Sequence, residues 1–119
     1  IDTFVYCRRP AFNLGFFDEF VARKWPKSII RCKGMCYFRD ERDTCYVFEQ
    51  AGKQVGLRNA GQWYATMPKD QLEQLKAQNP GLVQDWDENY GDRMQKLVFI
   101  GQNMDKKAIC EELDKCLEK

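Results

Sequence analysis

The sequence predicts an α+β fold in which a mostly antiparallel sheet carries helices on one face. Residues 28–38 alternate between apolar and polar, Arg93–Ile100 is strongly hydrophobic, and helical apolar patterns follow the capping residues Asn13 and Asp105. The predicted order is β-α-β-β-(β)-α-β-α, which is related to the ferredoxin-like βαββαβ pattern. A chain of 119 residues suits one modest core, so a single domain over residues 1–119 is expected.

The first strand is predicted over Thr3–Arg9, which is rich in β-branched and aromatic residues and ends before Pro10. The first helix is predicted from Asn13, as its N-cap, to Trp25, where Pro26 ends it. Its apolar stripe is expected to contain Leu14, Phe17 and Val21, flanked by Phe16 and Phe20.

The second strand is predicted over Ser28–Phe38, and its two faces differ in character. The apolar face is expected to contain Ile30, Cys32, Gly34, Cys36 and Phe38. The opposite face is expected to expose Arg31 and Lys33 beside Tyr37. A charged turn then leads into a returning strand over Thr44–Gln50, and further extended segments lie within residues 54–65.

A second helix is predicted to begin at Pro68, with an irregular stretch or a short helix over Leu82–Tyr90. The strand Arg93–Ile100 is expected in the interior of the sheet because it is nearly all apolar. Asp105 caps the last helix, whose buried face is expected to contain Ile109, Leu113 and Cys116.

The composition excludes several kinds of chemistry. The chain has no histidine, which removes Ser-His-Asp and Cys-His nucleophiles and histidine zinc sites. It has no Walker-type loop and no dinucleotide-binding glycine fingerprint. The net charge of +1 predicts no strong attraction to nucleic acid or membrane. The chain starts at Ile1 without Met or a signal-peptide pattern, so we expect a fragment of a longer protein; a processed secreted protein would look similar. The cysteines favour the reducing cytoplasm.

The six cysteines lie mostly within apolar runs and are too sparse for a disulfide scaffold. Free, buried thiols in a reducing compartment are the favoured interpretation. The alternative is a small metal-binding module that uses Cys32, Cys36 and Cys45. Strand geometry argues against pairing the first two, because four residues span roughly 13 Å, whereas zinc holds each sulfur at about 2.3 Å.

Two other groups of polar residues allow a functional and a structural interpretation. The acidic loop contains Asp85, Asp87, Glu88 and Asp92. It could bind a hard cation or a basic partner, or it could be a solvated loop whose carboxylates cap the next strand or pair with Arg93. Arg31, Lys33 and Tyr37 could form a platform for single-stranded RNA, or a solvated or interdomain face.

One ordered set of motifs resembles a known family. The stretch Trp86-Asp87-Glu88-Asn89-Tyr90-Gly91-Asp92-Arg93 leads into the last strand. Upstream stand, in order, Arg8-Arg9-Pro10, Trp25-Pro26, Arg31-x-Lys33-Gly34, Gln50-Ala51-Gly52 and Trp63-x-Ala65. Together they resemble the carboxy-terminal domain of the CobW-type (cobalamin synthesis protein) P-loop GTPases, a family associated with metal insertion and metal homeostasis. Asn13 departs from the family pattern, which usually has His there.

The resemblance implies a non-catalytic accessory domain that contacts a GTPase domain of the same chain or a metalloprotein client, without nucleic acid or membrane. GTP and a divalent metal, zinc or cobalt, are expected in the complete parent and not in this domain. Bacterial members tied to zinc limitation look closest. The motif and interface candidates are Arg9, Pro10, Arg31, Lys33, Trp63, Trp86, Asp87, Tyr90, Asp92 and Arg93. Among them Trp63, Trp86 and Tyr90 are expected to be exposed interface aromatics.

Overall fold

A computed structural model describes residues 1–118 of the chain. Its elements are β1 (Asp2–Arg8), α1 (Leu14–Arg23), β2 (Ile29–Cys36), β3 (Thr44–Ala51), β4 (Gln54–Gln62), α2 (Lys69–Gln78), α3 (Pro80–Gln84), β5 (Gln95–Gly101) and α4 (Lys106–Asp114). The strands form one sheet in the order β1-β5-β2-β3-β4, and all neighbours are antiparallel. The predicted class and element order are confirmed, and β5 lies inside the sheet as expected. In residues 1–118, no helix has the length and apolar character needed to cross a membrane.

The main core lies between the sheet and the helices α1 and α4. Phe12 stacks on Phe17 of α1 with ring centroids 4.8 Å apart, and Phe4 stacks on Phe99 at 4.9 Å. The buried members are Tyr6, Phe12, Phe17, Phe20, Ile29, Cys32, Cys36, Phe38, Phe48, Leu97, Phe99, Ile109, Leu113 and Cys116. The predicted buried face of the last helix is therefore confirmed.

Both predicted helix caps are present. The Asn13 side chain accepts a hydrogen bond from the Phe16 amide at 3.0 Å, and Asp105 accepts one from the Ala108 amide at 3.1 Å. These bonds satisfy amides that have no partner within the helix.

The predicted apolar stripe of α1 is wrong at Leu14, its first residue. The buried face is centred between Phe17 and Phe20, and Leu14 is 49% exposed. At about 100° per residue, Leu14 points about 90° away from that centre.

The predicted alternation of β2 holds at Cys32 and Cys36, but it is wrong at Ile30. The pairing of β2 with β5 shifts register between Ile29 and Arg31. This bulge reverses the alternation, so Ile29 is buried and Ile30 is 50% exposed.

A second, smaller cluster lies on the other face of the sheet, at one end. It contains Ala11, Tyr37, Cys45 and Trp63, with Met35 packed against it. The expectation that Tyr37 is exposed beside Arg31 is wrong, because this cluster covers Tyr37 completely.

Buried Gln95 fixes that end of the sheet. Its Nε2 donates to the Pro10 carbonyl at 3.0 Å and to the Tyr37 carbonyl at 2.9 Å, and its Oε1 accepts from the Tyr37 amide at 3.1 Å. One side chain thus holds β5, the end of β2 and the loop after β1 together.

Candidate functional site: the open face of the sheet

The acidic loop of the family motif closes on itself. The Asp87 carboxylate accepts from the Asn89 and Tyr90 amides at 2.8 and 3.1 Å, and the main chains of Asp87 and Gly91 exchange two hydrogen bonds. Gly91 has φ 68°, and a Cβ there would lie 2.6 Å from the Cβ of Ala65. Glycine is therefore required at this turn.

Asp92 joins this loop to the segment after β4. Its two carboxylate oxygens accept from the Tyr64 and Ala65 amides, both at 2.9 Å. The carboxylates of Asp87 and Asp92 thus bond to main-chain amides, which supports a structural role for these two residues over a cation site. The predicted pairing with Arg93 is wrong, because Arg93 forms its ion pair with Asp43.

The predicted arginines tie the same loop to the rest of the domain. The Arg9 guanidinium donates to the carbonyls of Asp85, Gly91 and Arg93. Arg93 donates to the Arg42 carbonyl and to the Asp43 carboxylate, each at 2.8 Å. Arg9 and Arg93 were predicted as motif and interface candidates, and in the structure they bond within the domain. We call these bonds, together with those of Asp87 and Asp92, the clasp.

The three candidate interface aromatics are more buried than expected. Trp63 is only 5% exposed and packs edge-on against Tyr37, so its prediction as an exposed residue is wrong. Trp86 is half-buried beneath the Lys76 ammonium, which lies 4.0 Å from the ring centroid, and Tyr90 is half-buried as well. Trp86 therefore attaches α2 to the loop.

The predicted thiols do not form a common site. Cys32 and Cys36 belong to the main core, whereas Cys45 belongs to the second cluster. Burial raises the pKa of Cys36 to about 12 and raises that of Cys32 further, which keeps these thiols in the neutral form that binds metals poorly. In residues 1–118, no three His, Cys, Asp or Glu side chains are grouped to hold a metal ion.

The expectation that the cysteines are buried in the interior is wrong for two of them. Cys7 is exposed and Cys110 is half-buried. All six thiols are free in the structure.

The main surface feature is the face of the sheet opposite α1 and α4, which we call the open face. Residues directly opposite one another on antiparallel strands share a face. Three rows of such residues cross the open face: Cys7–Lys96–Met35–Val47–Arg58, Val5–Val98–Lys33–Glu49–Gly56 and Thr3–Ile100–Arg31–Ala51–Gln54.

The open face mixes apolar and basic side chains. Val5 is 48% exposed and Val98 is 38% exposed, which is high for aliphatic residues in mid-strand. Its acidic residue, Glu49, lies 3.4 Å from the Lys33 ammonium and 3.9 Å from the Arg58 guanidinium. The three rows therefore contain one carboxylate and four cations, which are Arg31, Lys33, Arg58 and Lys96. Of these cations, Arg31 and Lys96 form no ion pair within the described part of the chain.

A groove of about 500 Å³ continues the open face at the end where the second cluster lies. Its sheet side contains Cys7, Met35 and Lys96, and its opposite side contains Trp63, Leu82 and Met94. The buried indole N–H of Trp63 has no hydrogen-bond partner among residues 1–118.

Arg31 and Lys33 lie on the open face as predicted, but the sequence reasoning missed Lys96, Val98 and Arg58. The signal was present in β5, where buried Gln95, Leu97 and Phe99 alternate with Lys96 and Val98. The prediction described β5 only as a continuous hydrophobic run, and so it did not recognise that Lys96 and Val98 form an exposed second face.

The fold and the open face define an open-faced α+β sandwich domain, with α1 and α4 on one side of the sheet and an exposed, basic and aliphatic surface on the other. The groove end of that surface is bordered by α3. A model of the cobalamin synthesis protein CobW C-terminal domain family matches residues 1–117, and the chain belongs to that family.

The relatives are longer proteins. The chain is 30% identical to the Dictyostelium discoideum protein named zinc-regulated GTPase metalloprotein activator 1, covering 98% of this chain and 25% of the relative. It resembles the crystal structure of the zinc-bound YjiA GTPase from E. coli with a TM-score of 0.65 at 12% identity, covering 98% of this chain and 30% of the other. A zinc-bound triple mutant of YjiA gives a TM-score of 0.64, also at 12% identity and the same coverage. At this identity the structural likeness shows the fold alone.

Proposed function

We propose that this chain is the non-catalytic carboxy-terminal domain of a cytoplasmic CobW-type GTPase that acts in metal insertion or metal homeostasis. The chain belongs to the CobW carboxy-terminal family and spans a quarter of a relative named as a zinc-regulated GTPase metalloprotein activator. GTP and zinc or cobalt would bind elsewhere in the parent. The domain contributes a docking surface for the GTPase domain of the same chain, and a metalloprotein client is the second possible partner.

The observation that carries this proposal is the composition of the open face. Exposed valines stand beside Lys33 and Lys96, and no described element covers them. Apolar surface edged by charge is typical of protein interfaces. Among the polar motif residues, Arg9, Asp87 and Asp92 bond within the clasp, whereas Arg31 and Lys33 lie on the open face and are free to meet a partner.

Two other functions have less support from the geometry. A thiol metal site would need Cys45 to meet Cys32 and Cys36, which belong to a different cluster. An RNA platform needs an aromatic surface for stacking bases, and Tyr37 is fully buried beneath the second cluster.

Charge reversal on the open face of the complete parent tests the proposal. The Arg31→Glu and Lys33→Glu double variant should reduce cross-linking between the two domains about tenfold, because it replaces two cations of the docking surface with carboxylates. The GTP hydrolysis rate and client binding are measured on the same samples.

A matched double variant on the helix side, Lys24→Glu with Lys107→Glu, is the control, since both lysines are exposed, Lys24 directly after α1 and Lys107 within α4. Unchanged cross-linking, hydrolysis and client binding in the open-face variant would refute the docking role.

A further inference from the structure

The groove at the end of the open face has the size of a binding site. Its volume of about 500 Å³ lies within the range of roughly 300–1,000 Å³ typical of ligand pockets. Met35, Leu82 and Met94 give it apolar walls, and the flexible thioethers can adapt to a bound side chain. The groove therefore suits an apolar group.

The indole of Trp63 forms a rigid wall of the groove. Its N–H is buried without a partner in residues 1–118, whereas buried donors are nearly always hydrogen-bonded. The ring is held in place, because Tyr37 packs against it at 5.7 Å and the Trp63 carbonyl accepts from Thr66. The Trp63 ring therefore forms a fixed part of the groove wall.

The charges around the groove are asymmetric. Lys96 lies on the sheet side, on the strand next to Lys33 of the open face. On the opposite side, Asp92 already accepts two main-chain hydrogen bonds, and Asp85 provides a carboxylate. A bound segment should therefore place acidic groups toward Lys96.

We propose that the groove binds one large apolar side chain from the GTPase part of the parent, in a segment with carboxylates facing Lys96. This inference rests on the proposed docking function. The groove and the docking surface are continuous, since Cys7, Met35 and Lys96 belong to both. Most of the length of the relatives lies outside this domain, and covalent attachment gives even a small groove a high effective concentration of its partner.

The test uses the complete parent, with the chain of 119 residues as reference, and observes the indole N–H resonance of Trp63. The resonance is assigned by its loss in Trp63→Phe. In the parent the indole resonance should shift, because a docked segment changes the surroundings of the ring, and the indole proton should exchange with solvent at least tenfold more slowly than in the isolated chain. An identical shift and exchange rate in both would overturn the inference, and so would a change that occurs only when a client protein is added.

Blocking the groove gives a second readout. Ala60 lines the groove on the exposed edge strand β4, so Ala60→Trp should fill it and lower domain cross-linking about tenfold. Leu57→Trp is the control, because this exposed residue of the same strand lies on the other face of the sheet. Lys96→Glu should weaken cross-linking about fivefold.

The outcomes separate the two proposals. If Arg31→Glu with Lys33→Glu disrupts docking while Ala60→Trp has no effect, the groove inference is wrong and the docking function stands. If neither variant changes cross-linking, both proposals fail.

Discussion

The two faces of the sheet are built from alternating residues of the same strands, yet they have opposite roles. On β5, Leu97 and Phe99 are fully buried beneath the helices, whereas Lys96 and Val98 are exposed on the open face. The covered face is stabilised by close packing, so a change in the volume of one of its side chains is expected to destabilise the fold. The open face contributes little packing and is free to carry the mixture of charge and apolar surface that a partner recognises.

The largest expected difference in stability between the two faces is between alanine variants of two adjacent β5 residues, Phe99 and Val98. Phe99→Ala should lower the free energy of unfolding by about 3–5 kcal/mol, because it removes a buried ring from the main core. Val98→Ala should cost below about 1 kcal/mol, since that side chain is already partly exposed. Urea unfolding of both variants measures the contrast, and equal losses would show that the open face is a second core.

Glycine substitutions compare the interior of the sheet with its edge. A Cβ at Gly34 of β2 would lie 1.9 Å from the Lys96 carbonyl oxygen, so Gly34→Ala should cost about 3 kcal/mol. Gly56→Ala on edge strand β4 meets nothing within 4 Å and should be neutral or slightly stabilising. Thermal unfolding of the pair measures the difference, and a stable Gly34→Ala variant would contradict the close approach of β2 and β5.

Alkaline pH should weaken the covered face through its thiols. Burial raises the pKa of Cys36 to about 12 and that of Cys116 to about 11, from the usual 9.0. Folding favours the neutral thiol, so this contribution is complete below about pH 9 and is lost as pH rises toward the folded-state pKa. Each pH unit in that window removes up to about 1.4 kcal/mol per thiol.

Urea unfolding between pH 8 and 10 tests this dependence, in a range below the usual tyrosine pKa. The Cys36→Ala and Cys116→Ala double variant should lose stability less steeply with pH than the unaltered chain. Parallel pH profiles would show that the thiols are not the groups responsible.

The smallest expected effect is on the open face. Arg31 forms no ion pair among residues 1–118, and Arg31→Glu should change the free energy of unfolding of this chain by less than about 0.5 kcal/mol. A larger loss in urea unfolding would assign the open face a structural role.

The sequence predicted the elements that depend on local chemistry. The caps at Asn13 and Asp105 and the buried alternation of Cys32 and Cys36 follow from hydrogen-bonding groups and periodicity within a few residues. The exposure of Ile30 could not be predicted from the sequence, because the bulge that turns it outward depends on pairing with β5, a strand distant in sequence.

The candidate site was only partly predictable for the same reason. Arg9 and Asp92 were recognised as members of a motif, but their partners lie 27 to 84 residues away along the chain, so spacing could not show that they form a clasp. Trp63 was placed at the surface because an isolated tryptophan gives no sign of what covers it. Lys96 and Val98, by contrast, alternate with buried neighbours and could have been assigned to an exposed face from the sequence.

Covalent labelling of lysines in the complete parent and in this chain alone tests the central claim most directly, because it compares the two faces in one experiment. Lys33 and Lys96 report on the open face, and exposed Lys24 and Lys107 report on the helix side. The account predicts that Lys33 and Lys96 are modified at least several-fold more slowly in the parent, while Lys24 and Lys107 react equally in both. Equal reactivity of Lys33 and Lys96 in the parent and the isolated chain would contradict it.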